Sequence, residues 1–581
     1  MFSPDSTVKC TPMGTAAYEV KARARATSDR WVRLLMTAMM LGASLALQWS
    51  SQAAFSELGG HPDESAHYVT GLLVHDYLIQ HDPISPIAFA SQFYGHYPKV
   101  GLGHWPPVFY LLQSLWSLLF QSSVASILAL VALLSALCAS LIALSVARTQ
   151  TWTVGLMAGL LFVASRVVAQ SSAMIMPDGL VALLMLAATL AFVRFMDSTG
   201  SAKLSLLFGL LTTLAFLTKG SALALVVVPP VAIVISKRWN LLARKSLWLA
   251  PLMVLCLCAP WYWFTRDMAV GTWVYPTPRF VYAADALRFY SHAVYLALGP
   301  LGTVLAAIGL VHFVATQRTS DPSRSNVATG LFALLTGVAA VVMIVPVGFE
   351  VRFIIPALPP LVFFAAGGGL WVAARIGNHL PSGERYEKAL CAGFLAVAVI
   401  LCFKPVHKQY SGFSAVADAI LNSPSPSYPS VLIVSDAAGE GMFVADMASH
   451  RSESPSIVLR GTKILADTNW LGTDYRSLFR SPRELVDRLE ELPITYVVED
   501  HSVKSVAIFQ HQKLLDQAIA GYPAFFQRLG VFDAIRDGVR YHDSLQLYGF
   551  IHTSPPARVI RLPMLRMLHS EVKVVVPASR R

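Results

Sequence analysis

The chain has 581 residues, of which 55% are hydrophobic and only 14% charged. A soluble domain carries roughly 25% charged residues, so most of this chain is excluded from water, and too few polar residues remain to give so many apolar helices a wet outer face. The net charge of +11 does not point to nucleic acid, because the Lys and Arg residues stand in short loops beside apolar runs, where they act as topology signals.

Taken in order, Lys21, Arg23, Arg25 and Arg30 lie in a basic tail, residues 1–31. The tail is too long for the charged region of a signal peptide, so the first apolar run is expected to be an uncleaved anchor despite a weak cleavage-like Ser51-Gln52-Ala53. Apolar runs of bilayer length predict spans at 32–49, 124–147, 152–170, 179–195, 204–218, 220–236, 247–264, 291–316, 327–346, 354–374 and 389–403, about eleven in all. Alternation then gathers Arg148, Arg194, Lys203, Lys237, Arg238, Arg244, Lys245, Arg318, Arg324, Arg375, Arg385 and Lys388 on the cytoplasmic side with the N-terminus. Residues 106–121 are also apolar. Counting them as a span would invert every later loop, so they are predicted to form an amphipathic helix in the outer interface, where Tyr110, Gln113 and Trp116 suit the position.

Two large outer regions result, the loop 50–123 and the stretch 404–581. The second changes composition. Val431–Val434 and Ile494–Val498 read as strands, and Ser481-Pro482 opens a capped helix, which predicts a small α/β domain. Gly439-Glu440-Gly441 lacks the third glycine of a dinucleotide fingerprint and is expected to be a turn. No nucleotide or organic cofactor is expected. The six cysteines, Cys10, Cys138, Cys256, Cys258, Cys391 and Cys402, show neither a disulfide framework nor zinc spacing, and Cys256 and Cys258, two apart on a helix, read as packing residues. The fold class is thus an all-α polytopic membrane domain, 32–403, followed by an α/β extracytoplasmic domain.

Candidate chemistry lies at the outer ends of the spans. Asp63 and Glu64 are adjacent carboxylates at a membrane surface, costly without a task or a partner. They suit deprotonating an acceptor or binding a divalent cation, and a solvated loop with a helix-capping acid explains them equally. Lys99 and His104, among the aromatic residues and prolines of 97–107, suit a phosphate and a sugar, or an aromatic belt. Asp178 opens a span on the same face, as a helix-start acid or as a second functional one. Lys219 between two apolar runs either snorkels or neutralises a lipid-linked phosphate. Glu350 and Arg352 form an outer charge pair that meets a substrate or only itself.

Several short motifs occur together: Asp63-Glu64, His104-Trp105-Pro106-Pro107-Val108-Phe109-Tyr110, Pro177-Asp178, Leu217-Thr218-Lys219-Gly220, Pro260-Trp261-Tyr262, and Arg352-Phe353-Ile354-Ile355-Pro356 running on to Pro360. In this order and on one face, the set resembles the GT-C superfamily of integral-membrane glycosyltransferases, in particular the bacterial protein O-mannosyltransferase and lipid A aminoarabinose transferase group, over roughly residues 30–375. The resemblance implies a polyprenyl-phosphate-linked sugar donor, inverting transfer, and an envelope lipid, glycan or protein as acceptor. It implies Asp63 as general base or metal contact with Glu64 in support, and Asp178 as the second acid near acceptor or metal. Lys219 would face the donor phosphate, with Lys99 as a second cation. Tyr68 is a further substrate-binding candidate, although His67-Tyr68 departs from the family pattern, standing one residue later than the Arg-Tyr pair that follows Asp-Glu in the aminoarabinose transferase. Ser171-Ser172-Ala173 lacks the arginine that precedes the second acid in O-mannosyltransferases, Lys99 lies upstream of the usual lysine position, and no Trp-Trp-Asp signature of Asn-linked oligosaccharyltransferases appears. The resemblance places the chain in a bacterial cytoplasmic membrane, with the C-terminal domain in the periplasm.

Three other classes compete. A transporter predicts paired repeats and charges midway through spans, whereas no repeat is evident and the charges sit at span ends. A surface-polysaccharide polymerase or ligase would use arginine and histidine in a late outer loop. A membrane-anchored binding protein would work through 404–581 alone.

Overall fold

The computed structural model describes residues 13–80, 84–198, 200–270, 279–317, 326–346, 348–379, 386–423, 428–452, 455–468, 475–503, 509–557, 559–563 and 571–575. The side chains of Lys21, Arg23 and Arg25, and all of Cys10, Arg318, Arg324 and Arg385, lie outside the described set.

Every expected span has a helical counterpart. Among the described residues, seven helices are long and apolar enough to cross a membrane, or eight if Trp152–Ala164 and Arg166–Ser172, bent by 62° at their junction, count as one. Ala202–Phe216, Gly220–Ser236 and Glu387–Cys402 are the short members. The expected span 291–316 is longer, Arg279–Gln317, and breaks at Gly299-Pro300. Gly299 has φ +67, and a Cβ there would press on the Cys402 backbone at 3.3 Å, so close packing and backbone geometry both call for glycine at the break.

The basic residues collect at one end of the bundle. Arg148 lies in the field of Arg33 and Arg194, the Arg238 guanidinium donates to the Met196 carbonyl, and the Ser246 hydroxyl donates to the Gly200 carbonyl at 2.7 Å. The other end carries the outer loop and the C-terminal domain. Helix Val108–Leu119 has 12 residues, about 18 Å at 1.5 Å per residue, too short for a hydrocarbon core of about 30 Å. It buries Phe109, Tyr110, Gln113 and Ser114 and exposes Leu111, Leu115 and Leu118, as a helix lying along the bundle end does.

The C-terminal domain holds a five-stranded sheet in the order Ile457–Arg460, Ser430–Val434, Tyr496–Asp500, Val539–Phe550, Phe526–Arg536. The first three strands are parallel and the last two join antiparallel. Asp537 and Gly538, both at positive φ, turn the final hairpin, as Asp-Gly pairs do in primed turns. Ser481 caps helix Pro482–Glu491 as expected, its hydroxyl accepting from Glu484 N at 3.3 Å. Gly439-Glu440-Gly441 is not a turn. It forms the first part of helix Ala437–Ser449, capped by Asp436, which accepts from Gly439 N at 2.7 Å. A Cβ at Gly441 would lie 2.2 Å from the Ser65 hydroxyl, so this glycine lets the domain press directly on helix Pro62–Ile79.

That contact makes the outer loop a middle layer. One buried apolar cluster runs from Tyr68, Phe93 and Tyr110 of the loop into Phe413, Ile433 and Phe443 of the C-terminal domain. Ion pairs fasten the seam: Lys408 Nζ to Glu64 Oε1 at 2.5 Å, Arg451 to Asp76 at 2.5 Å, and, within the domain face, Arg460 to Glu440 at 2.8 Å. The 404–581 stretch is therefore built onto the loop rather than tethered beyond it, which counts against a binding module that merely uses the helices as an anchor.

Removing one partner of a buried ion pair strands the other charge, at a cost of about 3–5 kcal/mol. Lys408→Ala is expected to destabilise the detergent-solubilised protein by that amount in thermal unfolding, and the double variant Glu64→Gln/Lys408→Met to recover most of it. A single-variant loss under about 1 kcal/mol, the range of exposed pairs, would show that the clamp is not desolvated.

Candidate active site

Four segments meet at the outer-loop end of the bundle. The first is the start of helix Pro62–Ile79, where Pro62 sits in the first turn and His61 Nδ1 accepts from Asp63 N at 3.1 Å. Proline fixes the opening φ and the acids of the first turn complement the helix dipole, which explains why the helix begins here. Asp63 and His67 are four apart and share a face. The second segment is Pro177-Asp178, opening helix Asp178–Asp197. The third is the extended Lys219 between Ala202–Phe216 and Gly220–Val226. The fourth is Glu350–Arg352, held by Gly348 at φ +92, whose carbonyl accepts from the Tyr282 and Tyr290 hydroxyls at 3.3 Å each.

These segments form two acid–cation pairs. Arg352 Nη2 lies 2.9 Å from Asp63 Oδ2, and Lys219 Nζ lies 2.6 Å from Asp178 Oδ1. Lys219 also sits 4.9 Å over the Phe353 ring. Arg352 Nε is 3.8 Å from Glu350 Oε2, and Glu350 Oε1 is 3.4 Å from His61 Nε2. Asp178 Oδ2 is buried without a hydrogen-bond partner. Burial alone would raise the Asp63 pKa, but the charge and hydrogen bond of Arg352, with His61 beside it, outweigh burial and hold the carboxyl at about 2.

His67 is fully buried, with Nδ1 2.9 Å from the Tyr110 hydroxyl and its ring 4.3 Å from Trp105. Burial, aided by Arg352 and Lys219, lowers its pKa to about 3, so the imidazole is neutral amid the charges. The sequence reading had not assigned it a role, although its spacing from Asp63 carried the signal.

Other candidates lie elsewhere. Glu64 faces the protein interior. Its side chain is 0% exposed, and its oxygens accept from Gly60 N at 3.1 Å, Ile175 N at 3.2 Å and Lys408. Tyr68, one residue on from His67, projects from another side of the helix; its hydroxyl donates to the Ser122 carbonyl at 3.0 Å, and its charged neighbours are Arg451 and Asp446. Lys99 is buried and donates to the Ala437 carbonyl at 3.0 Å. Burial and Arg460 bring its pKa down to about 7, against the pull of Asp63, Glu440 and Asp436, so it belongs to the seam as much as to the site. His104 meets Trp105 edge-on at 4.7 Å, one ring behind His67. As a metal centre, Asp63 and Asp178 fit poorly: each already pairs with a side-chain cation, and Asp178 Oδ2 is the one buried oxygen of the two acids without a partner. Arg352 and Lys219 place two positive charges beside these acids.

Residues 104–264 match the family described as dolichyl-phosphate-mannose-protein mannosyltransferase. No curated protein sequence matches the chain. Among solved structures, ArnT from Cupriavidus metallidurans bound to undecaprenyl phosphate is 14% identical, with 91% of this chain and 99% of that one covered at a TM-score of 0.52. The archaeal oligosaccharyltransferase AglB from Archaeoglobus fulgidus, in complex with an inhibitory peptide and a dolichol-phosphate, is 12% identical, with 91% and 75% covered at 0.54. A second structure of the Archaeoglobus fulgidus oligosaccharyltransferase, in complex with Zn and sulfate, is 13% identical, with 88% and 72% covered at 0.53. The chain shares its fold with ArnT and the Archaeoglobus fulgidus oligosaccharyltransferase, and residues 104–264 carry its sequence likeness to the mannosyltransferase family.

Proposed function

We propose that this protein transfers a sugar from a polyprenyl-phosphate donor to an envelope lipid, glycan or protein hydroxyl, at the membrane face that carries the C-terminal domain. The observation that carries the reading is the pair of acid–cation contacts, Asp63–Arg352 and Asp178–Lys219, assembled from four distant segments at one end of the helix bundle. The basic residues at the opposite end make that end cytoplasmic by charge asymmetry, so the site faces outward, in the cytoplasmic membrane of a bacterium.

A lipid-linked donor needs an apolar surface beside a cationic head site. The open face of helix Leu249–Phe264 offers such an apolar surface, formed by Leu255, Cys256, Ala259, Pro260 and Trp263, with Arg266 just past its end. Tyr262 on the same helix donates to the Phe216 carbonyl at 2.8 Å, three residues before Lys219, which sets this face beside the site. The prenyl chain lies there, with its phosphate against Lys219 and Arg352; guanidinium and ammonium groups are the usual phosphate partners. The acceptor hydroxyl gives its proton to Asp63, its oxygen bonds to the anomeric carbon, and the carbon–oxygen bond to the phosphate breaks. The two cations stabilise the departing phosphate. At a pKa of about 2 Asp63 is a weak base, and an efficient one lies near the working pH. A donor phosphate that draws Arg352 toward itself raises the Asp63 pKa at the moment a base is needed.

Asp63→Asn, at equal expression in membranes, is expected to lower transfer of radiolabelled sugar from polyprenyl-phosphate donors by about 10²-fold or more, the range for loss of a general base. Unchanged transfer would remove Asp63 from the mechanism. The sign of the pH effect also follows. Arg352 depresses the Asp63 pKa, so the carboxylate of the free enzyme persists until pH falls toward 2, and removing the guanidinium lets it protonate at higher pH. Arg352→Met is expected to shift the acid limb of kcat/KM upward; an unmoved limb would mean that Asp63 is not the titrating group.

A further inference from the structure

A second cluster of ionisable side chains lies outside the Asp63 site, where the C-terminal sheet meets helix Gln510–Gly521. Glu499 stands on the central strand Tyr496–Asp500, and His501 follows two residues later, its N–H donating to the Ser544 carbonyl of the next strand at 2.8 Å. Asp516 reaches across from the helix. His501 Nε2 lies 3.2 Å from Glu499 Oε2 and 3.7 Å from Asp516 Oδ1, and one ligand atom from each of the three lies within 4.8 Å of the others.

Glu499 is the unusual member. It is 4% exposed, and its Oε1 is buried with no hydrogen-bond partner. No arginine or lysine is paired with it among the described residues, in contrast to Asp63, Asp178, Glu64 and Glu440. A buried carboxylate oxygen without a partner is costly. A second carboxylate, Asp516, faces the same space and adds negative charge, and the two acids hydrogen-bond to each other only if one carries a proton. A divalent cation offsets both penalties.

The donor set selects the kind of cation. Calcium and magnesium take oxygen ligands, whereas an imidazole alongside carboxylates suits zinc and its neighbours. Zinc bonds of 2.0–2.2 Å in a tetrahedron put ligand atoms about 3.3 Å apart, close to the spacings that His501 makes with its two neighbours. We propose that Glu499, His501 and Asp516 bind one divalent transition-metal ion of the zinc class, which staples helix Gln510–Gly521 to the sheet. Three protein ligands leave a fourth position for water.

The test uses untagged full-length protein in detergent, stripped with a chelator and titrated with zinc by calorimetry, with cobalt absorption reporting the geometry. The expected result is one tight zinc ion per chain, a rise in melting temperature on binding, and a tetrahedral cobalt spectrum. His501→Gln and Asp516→Asn, whose side chains are 38% and 47% exposed and so tolerate exchange, should each weaken zinc binding at least 10-fold, while Asp63→Asn and Asp178→Asn leave it unchanged. The proposal is overturned if the wild type takes up no zinc, if both cluster variants bind as the wild type does, or if binding is lost only in the Asp63 or Asp178 variant. None of these readouts depends on transferase activity.

Discussion

The arrangement depends on a single buried carboxylate. Glu64 accepts from Gly60 N before its own helix, from Ile175 N three residues before Asp178, and from Lys408 at the start of the C-terminal stretch. One side chain thus ties together the segment that presents Asp63, the segment that presents Asp178, and the domain that covers both. In water such bonds would be worth little; at 0% exposure an unmet partner would be expensive, so the three segments hold a common geometry.

The site uses the same principle at its surface. Each acid has a cation, and each cation is reached from a different helix end, so no local stretch of sequence assembles the cluster alone. The charges are close to balanced as they stand. On the proposed function, an incoming donor phosphate competes for Arg352 and Lys219 rather than filling an empty positive hole, and its binding would redistribute protons and contacts together. The neutral His67, fixed by Tyr110 and Trp105, gives the acids an uncharged polar neighbour on the loop side.

Hydropathy and loop charge made the spans readable, and parity alone separated the short helix Val108–Leu119 from the crossings. Asp63, Asp178, Lys219 and Arg352 were legible because a charge at the end of an apolar run stands out. What could not be read was direction and distance. Glu64 and Tyr68 each neighbour a site residue in sequence, yet adjacent residues on a helix point about 100° apart, and both face away. Lys99 carries the right charge, but its partners are on residues near 440 and 460, beyond local inference. Lys408 gave no signal at all, since nothing near residue 408 indicates that an acid 344 positions earlier awaits it. The glycines at 439 and 441 suggested a turn because their purpose, room for the Ser435 and Arg536 side chains at the first and for a neighbouring helix at the second, is tertiary.

The shared core between the outer loop and the C-terminal domain sets an order of biosynthesis. The loop leaves the ribosome 344 residues before Lys408, a delay of about 17–70 s at roughly 5–20 residues per second. Through that interval the apolar faces of helices Pro62–Ile79 and Pro86–His96 have no lid, and the Glu64 carboxylate has no lysine. The machinery at the membrane must shield this surface until the last third of the chain arrives. A nascent chain that stops short of the C-terminal domain would present its helices complete and its outer layer open, a mark by which quality-control proteases can tell an unfinished copy from a finished one.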